Sequence, residues 1–319
     1  RGTLTINNNS TNYPATVVIP VRGYGVQLAA NPKKILFDSL HGGNFGTRTD
    51  FVKLLATAGH TVVTSQPTFN LSGYDYYLLS SQTESFTTGE INQIQSFVNT
   101  GGTVLLLADW GGHFGALQQN ELLSAPGWTT GMRIDSTMVQ DSSQMIYSYD
   151  YWIKISKFPN PSDQLLVGID TLGVFASASL NVASPAQVIA TTTSGGITSL
   201  PGNIFPSRTS QTEQRDVSEI WMSHQKDDAM ASARIAVPSR DNDNMPTSQA
   251  LMTMLPVIAK VSIGKGQIIV TGDMSIFGNS YYAPSYFPGL RYAANRIFAL
   301  NIFQSSGSWR FSNLGLKHA

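Results

Sequence analysis

The chain has 319 residues, with 20 Lys+Arg against 20 Asp+Glu, only 13% charged residues and no Cys. A zero formal charge supplies no basic field to hold nucleic acid or an anionic membrane, and the missing thiols exclude a disulfide framework, a thiolate zinc site and a cysteine nucleophile. No run approaches the ~20 apolar residues of a membrane span. The polar surface comes instead from Ser, Thr, Asn and Gln, as in TINNNSTN and ATTTSGGITS, a composition typical of exported proteins. Export without cysteine suits a bacterial or archaeal surface protein. The chain starts at Arg1 with no Met and no signal peptide, and it reads as a mature or excised piece of something longer.

In chain order, residues 1–27 hold two short β patterns, Thr3 to Ile6 and Thr16 to Val21, joined by an Asn/Ser/Pro loop. Two strands alone are marginal in water, so this arm is expected to pair with the main sheet or with another chain. From Lys33 the pattern becomes α/β. KKILFDSL is a strand; TDFVKLLATAG is a helix with Phe51, Leu54, Leu55 and Ala58 on one face, Thr49 as its cap and Gly59 as its stop. HTVVTS and YDYYLLSS are further strands. Thr87 and Glu90 form a capping box for a helix burying Ile91, Ile94, Phe97 and Val98, which Gly101 and Gly102 end. The apolar run TVLLLA then stops at Asp109 and turns toward a second helical segment.

Beyond Trp128, QLLVGI, VFASASL and AQVIATTT read as strands added at a sheet edge, and TSLPGNIFPSRTSQTEQRD as a long polar loop. VIAKVSI and QIIVTGD flank Gly264-Lys265-Gly266 as a hairpin. The last helix repeats Leu290, Ala294, Ile297, Phe298 and Ile302 at helical spacing. Strands alternating with helices imply an α/β domain over residues 33–304, with a mostly parallel sheet, helices on both faces and an added β-hairpin. Residues 305–319 form a tail.

Two resemblances sharpen this reading. The stretch GTLTINNNSTNYPATVVIPVRGYGV resembles the terminal hairpin of immunoglobulin-like repeats of the ASH and hydin type, which implies that the remaining strands of such a repeat lie upstream. The order FDSLHGG, AGH, YDYYLLSS, GGTVLLLAD, NELLSAPGW and IGKGQIIVTGDMSIFGN, from Lys33 to Gln304, is similar to glutamine-amidotransferase-like domains of the DUF4350 and GIFT type. That similarity implies a flavodoxin-like sheet. Class I amidotransferases keep a catalytic Cys at the elbow after this strand; here the turn is ADWGGHF, and no Gly-x-Ser-x-Gly occurs, so the chain is expected not to be an enzyme. Relatives without the Cys look like binding or scaffolding domains.

Asp38, His41, Asp109, His113 and Asp273 all fall at or just after the carboxyl ends of expected strands, where open α/β sheets bind ligands. Asp38 and Asp109 are expected to converge on one crevice, and Asp273 joins them if its strand runs the same way. Convergent carboxylates and imidazoles suit a cation, sugar hydroxyls or acid–base work; the alternative is that the acids cap turns and the histidines sit exposed. Trp110 suits stacking on a sugar ring or packing beneath its own loop. HGGNFGTRT opens a helix as an anion site would, yet Thr47-Arg48 stands where a phosphate loop needs Lys.

SRDNDNMP offers Asp241, Asp243 and Asn244 as oxygen ligands for calcium or as a plain Asx-rich turn, with Pro246 and Met252 standing where an EF-hand needs Gly and Glu; no other cofactor is expected. His224, Asp227 and Asp228 form a charge run that suits a solvated loop as well as a site. Tyr281, Tyr282, Tyr286 and Phe287 suit a roof over the crevice, an adhesive surface or packing over the last helix. Taken together, these features predict a non-catalytic extracellular or cell-surface module for binding or assembly. Its partners are other copies of itself or other surface proteins, reached through the β arm, with glycans as a further partner and neither nucleic acid nor membrane insertion. Two alternatives stand beside it: a secreted polysaccharide hydrolase using strand-end carboxylates, and a calcium- or small-ligand-binding module.

Overall fold

The computed structural model describes residues 2–7, 16–21, 26, 28–43, 48–80, 82–110, 116–146, 149–199, 254–279 and 289–304. The arm is a two-stranded antiparallel ribbon, β1 (Gly2–Asn7) with β2 (Thr16–Val21), running in register from Gly2 opposite Val21 to Asn7 opposite Thr16. Next come β3 (Lys34–Phe37), α1 (Thr49–Thr57), β4 (Thr61–Val63), β5 (Tyr76–Ser80), α2 (Thr88–Thr100), β6 (Thr103–Leu107) and α3 (Ala116–Leu123). Short strands follow: β7 (Met132–Ile134), β8 (Met138–Gln140), β9 (Met145–Ile146), β10 (Tyr149–Ile155), β11 (Leu172–Phe175), β12 (Leu180–Val182), β13 (Gln187–Thr191) and β14 (Ile197–Ser199). The hairpin β15 (Pro256–Ile263) and β16 (Gly266–Thr271) precedes α4 (Asn295–Gln304).

Seven strands form the central sheet in the order β13-β15-β16-β6-β5-β3-β4. β16, β6, β5, β3 and β4 are mutually parallel, and only β15 runs against the rest. Every residue of β5 and β6 is buried, as expected of parallel strands covered on both faces. Side chains alternate between those faces. On one side Ile35, Phe37, Leu78, Leu105, Leu107 and Ile269 meet Phe51, Leu54 and Leu55 of α1, Phe298, Ile302 and Phe303 of α4, and the apolar residues of β10 and β11. On the other, Leu36, Tyr77, Leu79, Val104, Leu106 and Val270 meet α2, α3, β7 and β12. Burying each such Leu, Ile or Phe stabilises by roughly 1.5–3 kcal/mol.

The α/β class, the mostly parallel sheet, the helices on both faces and the added hairpin agree with the sequence expectation. Four local readings change. QLLVGI is not a strand: Gln164–Leu166 is a 3-10 turn, capped by Asp163 accepting from the Leu165 N–H. VFASASL contributes to β11 and β12, which join small separate sheets with β10 and β7, whereas AQVIATTT does lie at the edge of the main sheet as β13. Arg48, not Thr49, precedes α1, with no side-chain cap of its own; Asn279 accepts from the Asp50 N–H at 2.8 Å instead. Ile297 is 41% exposed, while its helical companions Leu290, Ala294, Phe298 and Ile302 are buried. The polar stretch beyond Ser199 lies outside the described residues.

Candidate functional site

The carboxyl edge of the parallel strands carries three acids, and strand register decides how they meet. Thr271 and Ser80 both pair with Leu107 across the sheet. Asp273 and Asp109 each follow by two residues, so both project to the face of α1 and α4. Asp38 directly follows Phe37, which lies on that same face, and therefore projects to the opposite side, where the Tyr77 hydroxyl donates to its Oδ1 at 3.0 Å. Asp273 thus joins Asp109, because its strand runs the same way. Asp38 does not, because its position in the two-residue repeat is opposite.

Asp109 and Asp273 are 3% and 1% exposed. Asp109 Oδ1 accepts from the Trp110 N–H at 2.8 Å. Asp273 accepts from the N–H groups of Phe175 and Ser275, both at 2.6 Å. Burial pushes Asp109 well above the usual carboxylate range, and the charge of Asp273 adds to the push; the Trp110 N–H and the Arg48 guanidinium oppose it. Burial likewise raises Asp273 to about 7, against the backbone donors of Phe175 and Ser275 and the Arg48 charge. Each acid therefore holds its proton above the pH at which a free carboxyl ionises, with the charge of Arg48, itself only 1% exposed, acting against both.

Sequence reasoning placed Arg48 on a helix-opening turn and gave it no acid partner; only tertiary packing brings it to these carboxyls. Asn279 and Asn295 were missed as well. Asn279, besides receiving the Asp50 N–H, donates to Thr49 Oγ1 at 2.9 Å, fixing the start of α1 beside the acids. The fully buried Asn295 donates Nδ2–H to the carbonyls of Gly173, Ile276 and Gly289 and accepts from the Gly173 N–H. A single Asn holds β11, the turn after β16 and the start of α4 together.

His41 is 4% exposed and lies with Asp38 on the α2 face. Trp110 is half-buried beside Asp109. His113, the calcium candidates Asp241, Asp243 and Asn244, the run His224, Asp227 and Asp228, and the aromatic group Tyr281, Tyr282, Tyr286 and Phe287 all lie outside the described residues. Among the described residues no three His, Cys, Asp or Glu side chains group as metal ligands, and no helix is long and apolar enough to cross a membrane. A pocket of about 260 Å³ lined by Lys33, Asp75, Thr103, Lys265 and Gln267 opens at the opposite, amino edge of the sheet. A groove of about 580 Å³ runs between the turn at Leu166 and Ile297 of α4.

Sheet and site together define a class: an α/β protein with a mostly parallel central sheet and two buried acids, Asp109 and Asp273, just beyond the carboxyl ends of adjacent parallel strands. Within that class the chain belongs to the family described as Domain of unknown function (DUF4350), whose model matches residues 44–302. No curated protein matches it. Among solved structures it is similar to the mmIFT52 N-terminal domain, with a TM-score of 0.57 and 15% identity over 87% of this chain and 99% of that one. It is also similar to the cytoplasmic protein STM1381 from Salmonella typhimurium LT2, with a TM-score of 0.48 and 11% identity over 86% of this chain and 100% of that one. The first likeness is one of fold alone, and nothing further rests on the second.

Proposed function

We infer that the chain is a non-catalytic binding or assembly module of an exported surface or matrix protein, built on an amidotransferase-like sheet whose reactive elbow has been lost. The observation that carries this reading is the burial of Asp109: at the position where a nucleophile would be displayed, the side chain turns into the protein and is 3% exposed. A group that is to attack a substrate must reach it. The arm supplies the assembly element. Among the described residues β1 and β2 pair only with each other, which leaves the outer edges of a marginal two-stranded ribbon open to strand addition by a neighbouring copy or another surface protein.

Light scattering of the full chain and of a chain lacking residues 1–27 tests this. Oligomers of the first and monomers of the second are expected; monomers in both cases sink the assembly role. A hydrolase acting on polysaccharide is the second reading, favoured by one observation, the proton that Asp109 and Asp273 retain near neutral pH as a general acid must. Glycan cleavage that disappears in a folded Asp109→Asn variant would establish it over the first.

A further inference from the structure

A second titrating cluster occupies the α2 face of the sheet at the end of β3. His41 Nδ1 lies 2.9 Å from Asp38 Oδ1, and His41 Nε2 lies 3.5 Å from Glu90 Oε1. Both ring nitrogens face carboxylates, and only an imidazolium donates from both at once. The rings of Phe86 and Phe69 cover it, with centroids 4.2 and 5.8 Å away. Glu90 is tied to α2 through its capping box, accepting from the Thr87 N–H at 2.7 Å. The His41 carbonyl in turn accepts from the N–H groups of Thr83 and Glu84 at 2.9 and 3.3 Å. Gly42, at φ +74, lies so close to Thr83 that a Cβ would fall 2.0 Å from its hydroxyl oxygen. His41 therefore joins the end of β3 and the first turn of α2 through its ring, and the segment after β5 through its backbone carbonyl and the Phe86 contact.

The titratable groups facing the ring are Asp38 from the end of β3 and Glu90 from α2, with Tyr77 of β5 behind Asp38; Phe69 and Phe86 bring no charge. Burial pulls the His41 pKa down, but the hydrogen bonds and charges of Asp38 and then Glu90 outweigh it and leave the pKa raised above 6.5. Burial and the Asp38 charge hold the Tyr77 phenol neutral far above its usual range.

We propose that His41 is a proton-operated latch: charged, it fastens the turn at the end of β3 to the start of α2, and neutral, it holds only one of its two carboxylates and lets that turn loosen. The latch is independent of the assembly role and of the state of the Asp109–Asp273 pair. Because the folded pKa is raised, its stabilising contribution is whole below 6.5 and is lost as the pH rises through the folded value.

The test is a pH titration of the full chain carrying ring-labelled histidine, with the His41 signal assigned from a His41→Gln variant. The midpoint is expected above 6.5. In Glu90→Gln it is expected to fall by about one unit; Gln still serves in a capping box, so the change reports charge and not a lost cap. Amide exchange at Thr83 and Glu84, corrected for base catalysis, is expected to rise about tenfold across the midpoint, and to rise at lower pH in Glu90→Gln. A midpoint at or below 6.5, or corrected exchange that stays level across it, overturns the latch.

Discussion

A carboxylic acid held neutral by burial keeps its proton on folding, so between the pH where the free acid ionises and the pH where the buried one does, the folded state binds more protons than the unfolded chain. For Asp273 that window runs from 3.8 to about 7, and its contribution to stability is whole below the window and lost as the pH rises through it. Asp109→Asn keeps an oxygen to accept from the Trp110 N–H and removes one of the two acids that burial holds protonated. The unfolding free energy of this variant, measured by urea denaturation, is expected to change less between pH 4 and 8 than that of the unmodified chain, by up to about 1.4 kcal/mol per pH unit. Parallel profiles would mean that burial does not hold Asp109 protonated in the folded chain. Asp141 shows that burial alone does not set the direction. It too is fully buried, which by itself would raise its pKa, yet its carboxylate receives the N–H and hydroxyl groups of Ser143 and Thr193, and it ionises below the usual range. The sequence showed Asp38, Asp109 and Asp273 at strand ends because an apolar run stops at each. It could not show which face each would take, since that depends on where the last buried residue falls in the two-residue alternation.

Among the elements, α2 was legible almost completely, because everything that starts and stops it lies within its own neighbourhood. Thr87 Oγ1 accepts from the Glu90 N–H, the Glu90 carboxylate returns to the Thr87 N–H, and Gly101 takes the left-handed conformation at the end, with φ +124. Thr87→Ala is expected to destabilise the domain by about 1 kcal/mol. Urea denaturation measures this, and an unchanged midpoint would show that the box contributes nothing here. The start of α1 was read less well for the opposite reason. Its exposed N–H at Asp50 is satisfied by Asn279, 229 residues away, and no local pattern announces a partner so distant. Ile297 was misread because helical spacing places it beside Phe298 and Ile302 without telling where the buried stripe ends. The run QLLVGI is apolar enough for a strand, but the Asp163 cap turns it before any ladder forms.

At the scale of the whole molecule, the sequence order of β3 to β6 predicted the parallel half of the sheet, whereas the place of the late hairpin depended on pairing that no single segment encodes. β16 sits against β6, and β15 stands between β16 and the edge strand β13. A chain ending at residue 255 would keep β3 to β6 and lose α4 together with β15 and β16, leaving the edge strand β13 without its partner. Such a chain is expected to be insoluble or to lack a cooperative thermal transition; a soluble product melting cooperatively would show that the hairpin is an addition and not part of the core. Thr103 lies beside Gln267, and this pairing has a consequence during synthesis. As the chain leaves the ribosome, β6 emerges with one flank bare and must wait for nearly the whole of the remaining domain before that flank is covered. Newly made chains therefore pass through a period in which the unpaired backbone edge of a strand rich in Val and Leu is open to any neighbour, until the last fifth of the chain arrives.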